Sequence, residues 1–401
     1  MASEMRVIVS GGISAELHEK RRQALIDQLN LALGGAAECA QGVWAALWLC
    51  SIEKLEEYVQ HIKQSPDSLI VTSLHTTAVV TDIVKPWLTS RVKKTVASSV
   101  PGTPVGGAAS PASPSIPTTT SPTTPNPKRR RLHLDTNFSS SGPNSPRSAT
   151  AQRAALERDG ERCVITNRRG CTQSAHIYPY SLRDGVGPKC ARFWDALSMF
   201  WPPSTIEEWK ADVFGGSNTE FCSNRITLSA DVHIYRGKGL FALKPVSMSE
   251  DEKTLQLEFH WLRPVQQSSS TVLLSDKPSL EESLNGIDKD IALYNSEGRL
   301  VSSGDKIWMK TDDPLDRPLP SVKLLALQWA LQRLASLSGA AEAVDVLLDS
   351  DDEDNDDMVR LYDSEEDYSK VDDMFDDSAS TKTTNRLASC DTETTPAVQG
   401  V

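Results

Sequence analysis

Several features that define common protein classes are missing from this 401-residue sequence. Its seven cysteines include no Cys-x-x-Cys pair, which argues against a paired-thiolate zinc site or a dithiol redox motif. The longest apolar stretch, Val43 to Cys50, is too short to cross a bilayer, so no membrane association is expected. No secretory signal pattern opens the chain and the cysteine count is odd. We therefore expect a soluble intracellular protein with reduced thiols.

Positive charge is also scarce overall, but its distribution is uneven. The formal net charge is −12, and residues 342–401 hold 19 acidic and 4 basic residues, a net of −15. The preceding residues are therefore close to +3. At this charge density, residues 341–401 are expected to form a disordered acidic tail, because like charges repel and few apolar groups are available for burial. Such a tail either keeps the protein in solution or binds a basic partner.

Residues 98–149 are rich in Ser, Thr, Pro and Gly, which predicts a disordered linker. The linker contains four consecutive basic residues, Lys128, Arg129, Arg130 and Arg131. A basic run on an extended chain is accessible to a nuclear import receptor, so we expect a nuclear protein. The alternatives are plain solvated charge and a tether for nucleic-acid phosphates.

Residues 1–97 are predicted to be a helical region. Ser14 can cap one helix whose leucines share a face, and Gly34 and Gly35 can end it. Ser51 is predicted to begin a second helix with a single buried stripe. This region is interpreted as a packing unit, with a helix-in-groove or self-association surface as the alternative.

Residues 265–340 are predicted to be an extension that packs on the central part of the chain. Short strands are expected around Gly298 and Gly304. The run Pro-Leu-Pro-Ser at 318–321 then precedes a helix with six leucines that ends at Gly339. These leucines are expected to be core residues.

The central residues 150–264 carry the residues suited to chemistry. Residues 162–165 and 171–177 flank a glycine-containing turn, which predicts a β-hairpin with His176 near its end. Residues 222–233 predict a short strand that leads into a helical turn, with Asn224 and His233 facing the hairpin. A neutral imidazole can take a proton from water, and an imidazole can also hold a divalent cation. An asparagine amide can fix the loop that aims a histidine.

Three segments of this central region, residues 158–166, 175–180 and 224–233, occur in an order that resembles the HNH endonuclease family. The resemblance is greatest to the fungal branch, and it continues at residues 241–245 and 257–262. It implies an α+β fold with a ββα-metal (His-Me finger) core, a helical insert, flanking β-hairpins and a C-terminal helix. It also implies a divalent cation and a nucleic-acid substrate.

Carried over to this sequence, the resemblance implies a metal-dependent endonuclease that hydrolyses phosphodiester bonds, with DNA as the expected substrate. His176 would be the general base and Asn224 its orienting residue. His233 and Asp231 would hold the cation, magnesium or manganese rather than zinc, although Asp231 could equally cap a turn. Five basic residues would contact nucleic-acid phosphates: Arg168, Arg169, Arg225, Arg236 and Lys238.

Two positions depart from the family pattern. Many members have an acidic residue or histidine directly before the first motif histidine, where this chain has Ala175. Many also have an aspartate soon after the last histidine, where this chain has Arg236 and Gly237. These departures support an alternative function, a nucleic-acid-binding or protein-interaction module with impaired catalysis. The aromatic residues between His176 and Asn224 are interpreted as the core of a helical insert rather than as base-stacking groups.

Overall fold

The computed structural model describes residues 4–65, 76–88, 148–215, 219–266 and 271–340. Helices and strands are mixed throughout these ranges, as expected for an α+β fold. The helices are α1 (Lys20–Ala32), α2 (Gln41–Leu49), α3 (Ile52–Gln64), α4 (Ala78–Trp87), α5 (Ala149–Arg158), α6 (Pro188–Ser198), α7 (Pro203–Phe214), α8 (Ala230–Gly237) and α9 (Val322–Leu337). The predicted basic cluster, most of the linker and the acidic tail lie outside the described residues.

The strands of the described residues form three antiparallel sheets. They are β1 (Met5–Val7), β2 (Glu38–Cys39), β3 (Thr172–His176), β4 (Arg225–Ser229), β5 (Phe241–Ser249), β6 (Thr254–Trp261), β7 (Val272–Leu273) and β8 (Asp305–Lys310). The largest sheet has the order β1-β5-β6-β8, and β2 pairs with β7. The third sheet pairs β3 with β4, and α8 follows β4 directly. The β3-β4-α8 unit is the ββα core that the sequence predicted.

The predicted hairpin partner of β3 was wrong. Residues 162–165 form no strand; the backbone N–H of Asn167 donates to Cys163 O at 2.8 Å, which closes a tight turn. Asn167 has a positive φ of 54°, a conformation that asparagine tolerates better than most residues. The N–H of Val164 instead donates to Thr227 O at 2.9 Å, so the turn is attached to β4.

A helical insert separates β3 from β4 in sequence. It contains α6 and α7, and its aromatic side chains pack edge to face or stacked on Tyr178, which is fully buried. The buried rings of the insert are Phe193, Trp194, Phe200, Trp201 and Trp209. Their interpretation as core residues is therefore confirmed.

The N-terminal helices differ in detail from the prediction. Ser51 caps α3 as expected, because its Oγ accepts from Lys54 N at 3.2 Å. The predicted cap at Ser14 was wrong: only one 3-10 turn follows it, and α1 begins at Lys20. The Ser14 hydroxyl donates to Leu280 O at 3.1 Å instead, so a long-range partner replaces the local capping bond.

Helix α2 and helix α9 join the N-terminal and C-terminal parts of the chain. The indole N–H of Trp48 in α2 donates to Leu274 O at 3.1 Å, and Gln41 Nε2 donates to Leu337 O at 3.0 Å. Ser321 caps α9 through Leu324 N, and the six leucines of this helix are buried, as the sequence predicted. In the described ranges no helix combines the length and hydropathy that a bilayer span requires.

Candidate functional site

The site lies at the end of strand β3, where His176 is opposite Arg225 in β4. Successive side chains of a strand point to opposite faces. His176 therefore shares a face with Ser174, whereas Gln173 and Ala175 share the other face. Helix α5 lies on the His176 side, because the carbonyl of Ala155 accepts from Thr227 Oγ1 at 3.4 Å and Thr227 is opposite Ser174.

His176 is held by a buried carboxylate. Its Nε2 donates to Glu220 Oε1 at 2.6 Å, and the other carboxylate oxygen accepts from Arg225 Nη2 at 2.5 Å and from Ser148 N at 2.9 Å. The side chains of His176 and Glu220 are only 13 % and 3 % exposed. We call His176, Glu220 and Arg225 the buried triad.

The electrostatics of the buried triad favour a charged Glu220. Burial raises the pKa of this carboxyl, but the hydrogen bond and charge of His176, the charge of Arg225 and the Ser148 N–H together lower the pKa to about 2. Glu220 is therefore ionised over the whole physiological range. The hydrogen bond to this ionised carboxylate at 2.6 Å fixes the direction of the His176 ring.

Asn224 holds the backbone that follows His176. Its Oδ1 accepts from Tyr178 N at 2.8 Å, and its Nδ2 donates to Thr219 O at 3.0 Å and to Tyr178 O at 3.3 Å. The side chain is completely buried. These bonds join the turn after β3 to the turn before β4, so a change at Asn224 would move both His176 and Glu220.

Arg183 brings a second guanidinium toward His176. The imidazole ring lies 5.6 Å from the ring centroid of Tyr180, and the guanidinium carbon of Arg183 lies 4.1 Å from the same centroid on a cation–π contact. The Arg183 Nε is buried and has no hydrogen-bond partner among the described residues. Arg183 is therefore linked to His176 through Tyr180, whose carbonyl also accepts from Arg183 Nη1 at 3.4 Å.

The predicted metal ligands do not converge. His233 Nδ1 donates to Gln173 Oε1 at 2.8 Å, which places it on the face of β3 opposite to His176. Asp231 is exposed, and its carboxylate accepts from Val232 N at 2.9 Å. It also stands two residues before His233 in α8, and helix side chains with this spacing do not face each other. The two side chains therefore do not face each other, and their role as metal ligands stays a prediction.

The residues described do not fit a conventional divalent-cation centre. Ala175, on the face of β3 toward His233, has no ligand atom, and the amide of Gln173 already accepts from that imidazole. Across the described ranges no three His, Cys, Asp or Glu side chains come together in a group able to hold a metal ion. Magnesium, manganese and zinc sites commonly draw on such side chains.

The five predicted phosphate-binding residues fall into two groups. Arg168 and Arg169 are exposed on the turn before β3, and Lys238 is half-buried after α8. The other two are engaged internally: Arg225 is buried in the triad, and Arg236 donates to Ile177 O at 2.6 Å. The Arg225 guanidinium is only 2 % exposed and is paired with Glu220, and the phosphate contacts of all five residues stay a prediction.

Sequence reasoning missed Glu220 and Arg183. Glu220 is 44 residues from His176, and no spacing rule connects them. The one available indication was its position four residues before Asn224, on the same turn. Arg183 is three residues after the segment at 175–180 that resembles the family motif. Its positive charge so close to that segment was the available indication.

A family model described as HNH endonuclease matches residues 163–244, about a fifth of the chain. The match contains the buried triad, Asn224 and His233. Comparison with curated proteins and with solved structures gave no significant match. The order of the elements, a strand ending in His176, a helical insert, Asn224, a second strand and a helix bearing His233, agrees with this family. Residues 163–244 of this chain are therefore similar to the HNH endonuclease family, and we call this region the HNH domain.

Proposed function

We propose that residues 163–244 form an endonuclease domain that hydrolyses phosphodiester bonds in nucleic acid, with DNA as the substrate and His176 as the general base. One observation carries this proposal: two contacts fix the position of His176. The Glu220 carboxylate accepts from its imidazole, and Asn224 accepts from the backbone of Tyr178, two residues after it. A general base must be aimed at its water before the reaction begins, and both contacts serve that purpose.

In this proposal each group has a defined task. His176 takes a proton from the water that attacks phosphorus, the P–O bond to the leaving oxygen breaks, and that oxygen takes a proton from solvent. The ionised Glu220 stabilises the imidazolium that results. Arg183 contacts the phosphate that receives the water, and its guanidinium lies on the Tyr180 ring that also contacts His176. Arg168 and Arg169 bind phosphates along the strand, since both side chains are exposed.

The family generally uses a divalent metal, and we propose that the activity depends on magnesium or manganese rather than zinc. The described residues do not supply a ligand set for such an ion. No step of the proposed reaction is therefore assigned to a cation, and metal dependence is an outcome to be measured.

A second function is favoured by a specific observation. Ala175 replaces a ligand residue of the family pattern, and His233 is bound to Gln173. The domain would then bind nucleic acid or a protein partner without cleaving it. Under this alternative the buried triad serves only to stabilise the fold.

The two functions are separated by a cleavage assay on supercoiled plasmid and on single-stranded DNA and RNA, with magnesium, manganese or zinc added. The proposed function predicts cleavage, reduced about 10²–10⁴-fold in His176→Ala, since general bases contribute on that order. His61→Ala, at an exposed histidine in α3, is the matched control and should retain full activity. Circular dichroism establishes that each variant is folded.

Absence of cleavage by the folded wild type with every metal would overturn the endonuclease proposal. Salt-dependent binding without cleavage, unchanged in His176→Ala, would establish the second function instead.

We also propose that the protein is nuclear and that Lys128, Arg129, Arg130 and Arg131 bind an import receptor, with the acidic tail binding a basic partner. The sequence pattern supports both statements. A fluorescent fusion of the full chain should accumulate in nuclei, and alanine at all four positions should leave it in the cytoplasm. Nuclear accumulation of that variant would contradict the import role.

A further inference from the structure

Strand β8 presents an exposed aromatic and basic surface that is outside the matched domain. Along this strand Ile307 and Met309 face the core, whereas Lys306, Trp308 and Lys310 point outward and are exposed. Trp308 is 53 % exposed, although a tryptophan side chain is usually largely buried. We call these three residues the β8 stripe.

The lysines of the β8 stripe have no salt-bridge partner among the described residues. The carboxylates nearest in register are already engaged: Glu258, opposite Lys306, accepts from His260, and Asp305 pairs with Arg299. Opposite Trp308 and Lys310 are the uncharged residues Gln256 and Thr254. The stripe therefore combines a large exposed ring with two lysines that form no salt bridge among the described residues, although the Glu258 carboxylate is opposite Lys306.

A chain of contacts connects the β8 stripe with the HNH domain. Ser296 N donates to Thr166 O at 2.8 Å, in the turn that bears the exposed Arg168. The loop that contains Ser296 continues to Arg299. The Arg299 guanidinium pairs with the carboxylate of Asp305, at the start of β8, at 2.9 Å. The turn that bears Arg168 is therefore connected to the start of β8 through residues 296–305.

We propose that the β8 stripe binds single-stranded nucleic acid, with a base stacked on Trp308 and phosphates on Lys306 and Lys310. Proteins bind unpaired nucleic-acid strands without sequence preference through aromatic side chains flanked by cations, because every base has a face that can stack. This binding does not depend on cleavage at His176.

The position of β8 distinguishes this proposal from a protein-binding surface. Within the described part of the chain β8 is at the edge of its sheet, where a free backbone edge could accept another strand. Lysines on an edge strand oppose such pairing, and β8 carries two. The charges therefore favour a polyanion over an added β-strand.

The first test measures binding of the full chain to a fluorescein-labelled oligothymidine by anisotropy, in EDTA so that metal-dependent cleavage is suppressed. Trp308→Ala should weaken binding about 5–150-fold, the range for the loss of one stacked base. Trp308→Phe retains a stacking ring and should stay within about threefold of the wild type. His176→Ala should bind as the wild type does, which separates this inference from the endonuclease proposal.

The second test concerns the charges. The double variant Lys306→Ala/Lys310→Ala should lower the slope of log affinity against log salt by about 1.4, since each phosphate contact on a single strand contributes about 0.7. Lys20→Ala/Lys63→Ala, at exposed lysines of α1 and α3, removes the same charge and should leave the slope unchanged.

Unchanged affinity in Trp308→Ala, or equal slopes in the two double variants, would overturn the proposal. A dimer of the wild type that becomes a monomer in Trp308→Ala, with oligonucleotide affinity unaltered, would assign the β8 stripe to contact between copies of the chain and would also overturn it.

Discussion

Glu220 shows how one buried side chain can serve both stability and a candidate reaction. It is almost completely enclosed, and it is ionised because His176, Arg225 and Ser148 N surround it with donors. Its folded-state pKa of about 2 is below the ordinary 4.5. The charged carboxylate therefore stabilises the fold fully above about pH 4.5, and this contribution is lost as the pH falls toward 2.

The lowered pKa of Glu220 predicts that the stability of the protein decreases in acid. We expect the free energy of unfolding, measured in urea, to fall by about 3 kcal/mol between pH 6 and pH 2 on account of Glu220. In Glu220→Gln this component should be missing, although the variant is less stable at pH 6 because Arg225 is left unpaired. Glu53→Gln, at an exposed site in α3, should reproduce the wild-type pH profile. Parallel profiles for the wild type and Glu220→Gln would contradict the assignment.

At the scale of elements, α5 is joined to the HNH core by one buried ion pair. Arg158 donates to both carboxylate oxygens of Asp159, to Pro318 O and to Arg225 O, each at 2.8–2.9 Å. The Asp159 carboxylate in turn accepts from Thr227 N at 2.9 Å. A single guanidinium thus connects the helix, strand β4 and the segment before α9.

Removal of this guanidinium is expected to be severe. Arg158→Ala should reduce the free energy of unfolding by about 3–5 kcal/mol, because the Asp159 carboxylate would stay buried without its partner. Arg153→Ala, on the exposed face of the same helix, should change the stability by less than about 0.5 kcal/mol. Chemical denaturation of both variants measures the difference, and similar midpoints would show that α5 is held by other contacts.

The elements that the sequence predicted correctly are those specified by nearby residues. Ser51 and Ser321 cap their helices with bonds to residues three positions away, so local chemistry was sufficient. Ser14 failed as a cap because its partner, Leu280 O, is 266 residues away. The hairpin failed for the same reason: β3 pairs with β4 across the insert, and no local pattern encodes that choice.

The residues of the candidate site also fall into those that local sequence predicts and those that depend on the fold. His176, Asn224 and His233 could be selected from short motifs, and the family match includes all three. The hydrogen-bond partners of the two histidines, Glu220 and Gln173, could not be selected in this way. These pairings depend on which face of β3 each histidine lies on in the folded chain. The different directions of the Asp231 and His233 side chains follow from helix geometry, which could be applied only once α8 was known to include both residues.

At the scale of the molecule, the hydrophobic core of the HNH domain also includes side chains from other parts of the chain. Helix α9 packs on β5, and Gln328 Oε1 in α9 accepts from Leu243 N at 3.1 Å. One hydrophobic core includes side chains from the N-terminal helices, the insert and α9. A fragment cut at the end of β6 would therefore expose apolar surface that is normally covered.

This arrangement predicts that residues 148–264 do not fold alone. We expect the fragment to bind the dye ANS and to lack a cooperative urea transition, because the buried leucine face of α9 is missing. A fragment of residues 4–340 should unfold cooperatively and serves as the control. Native-like near-ultraviolet circular dichroism of the shorter fragment would refute this expectation.

The pairing of β1 with β5 also has a consequence for synthesis. Met5 is in register with Ser249, so the first strand has no partner until about 250 residues have been translated. At about 5–20 residues per second, that interval is roughly 12–50 s. During that time the backbone N–H and C=O groups of Met5–Val7 have no sheet partner and are hydrogen-bonded to water.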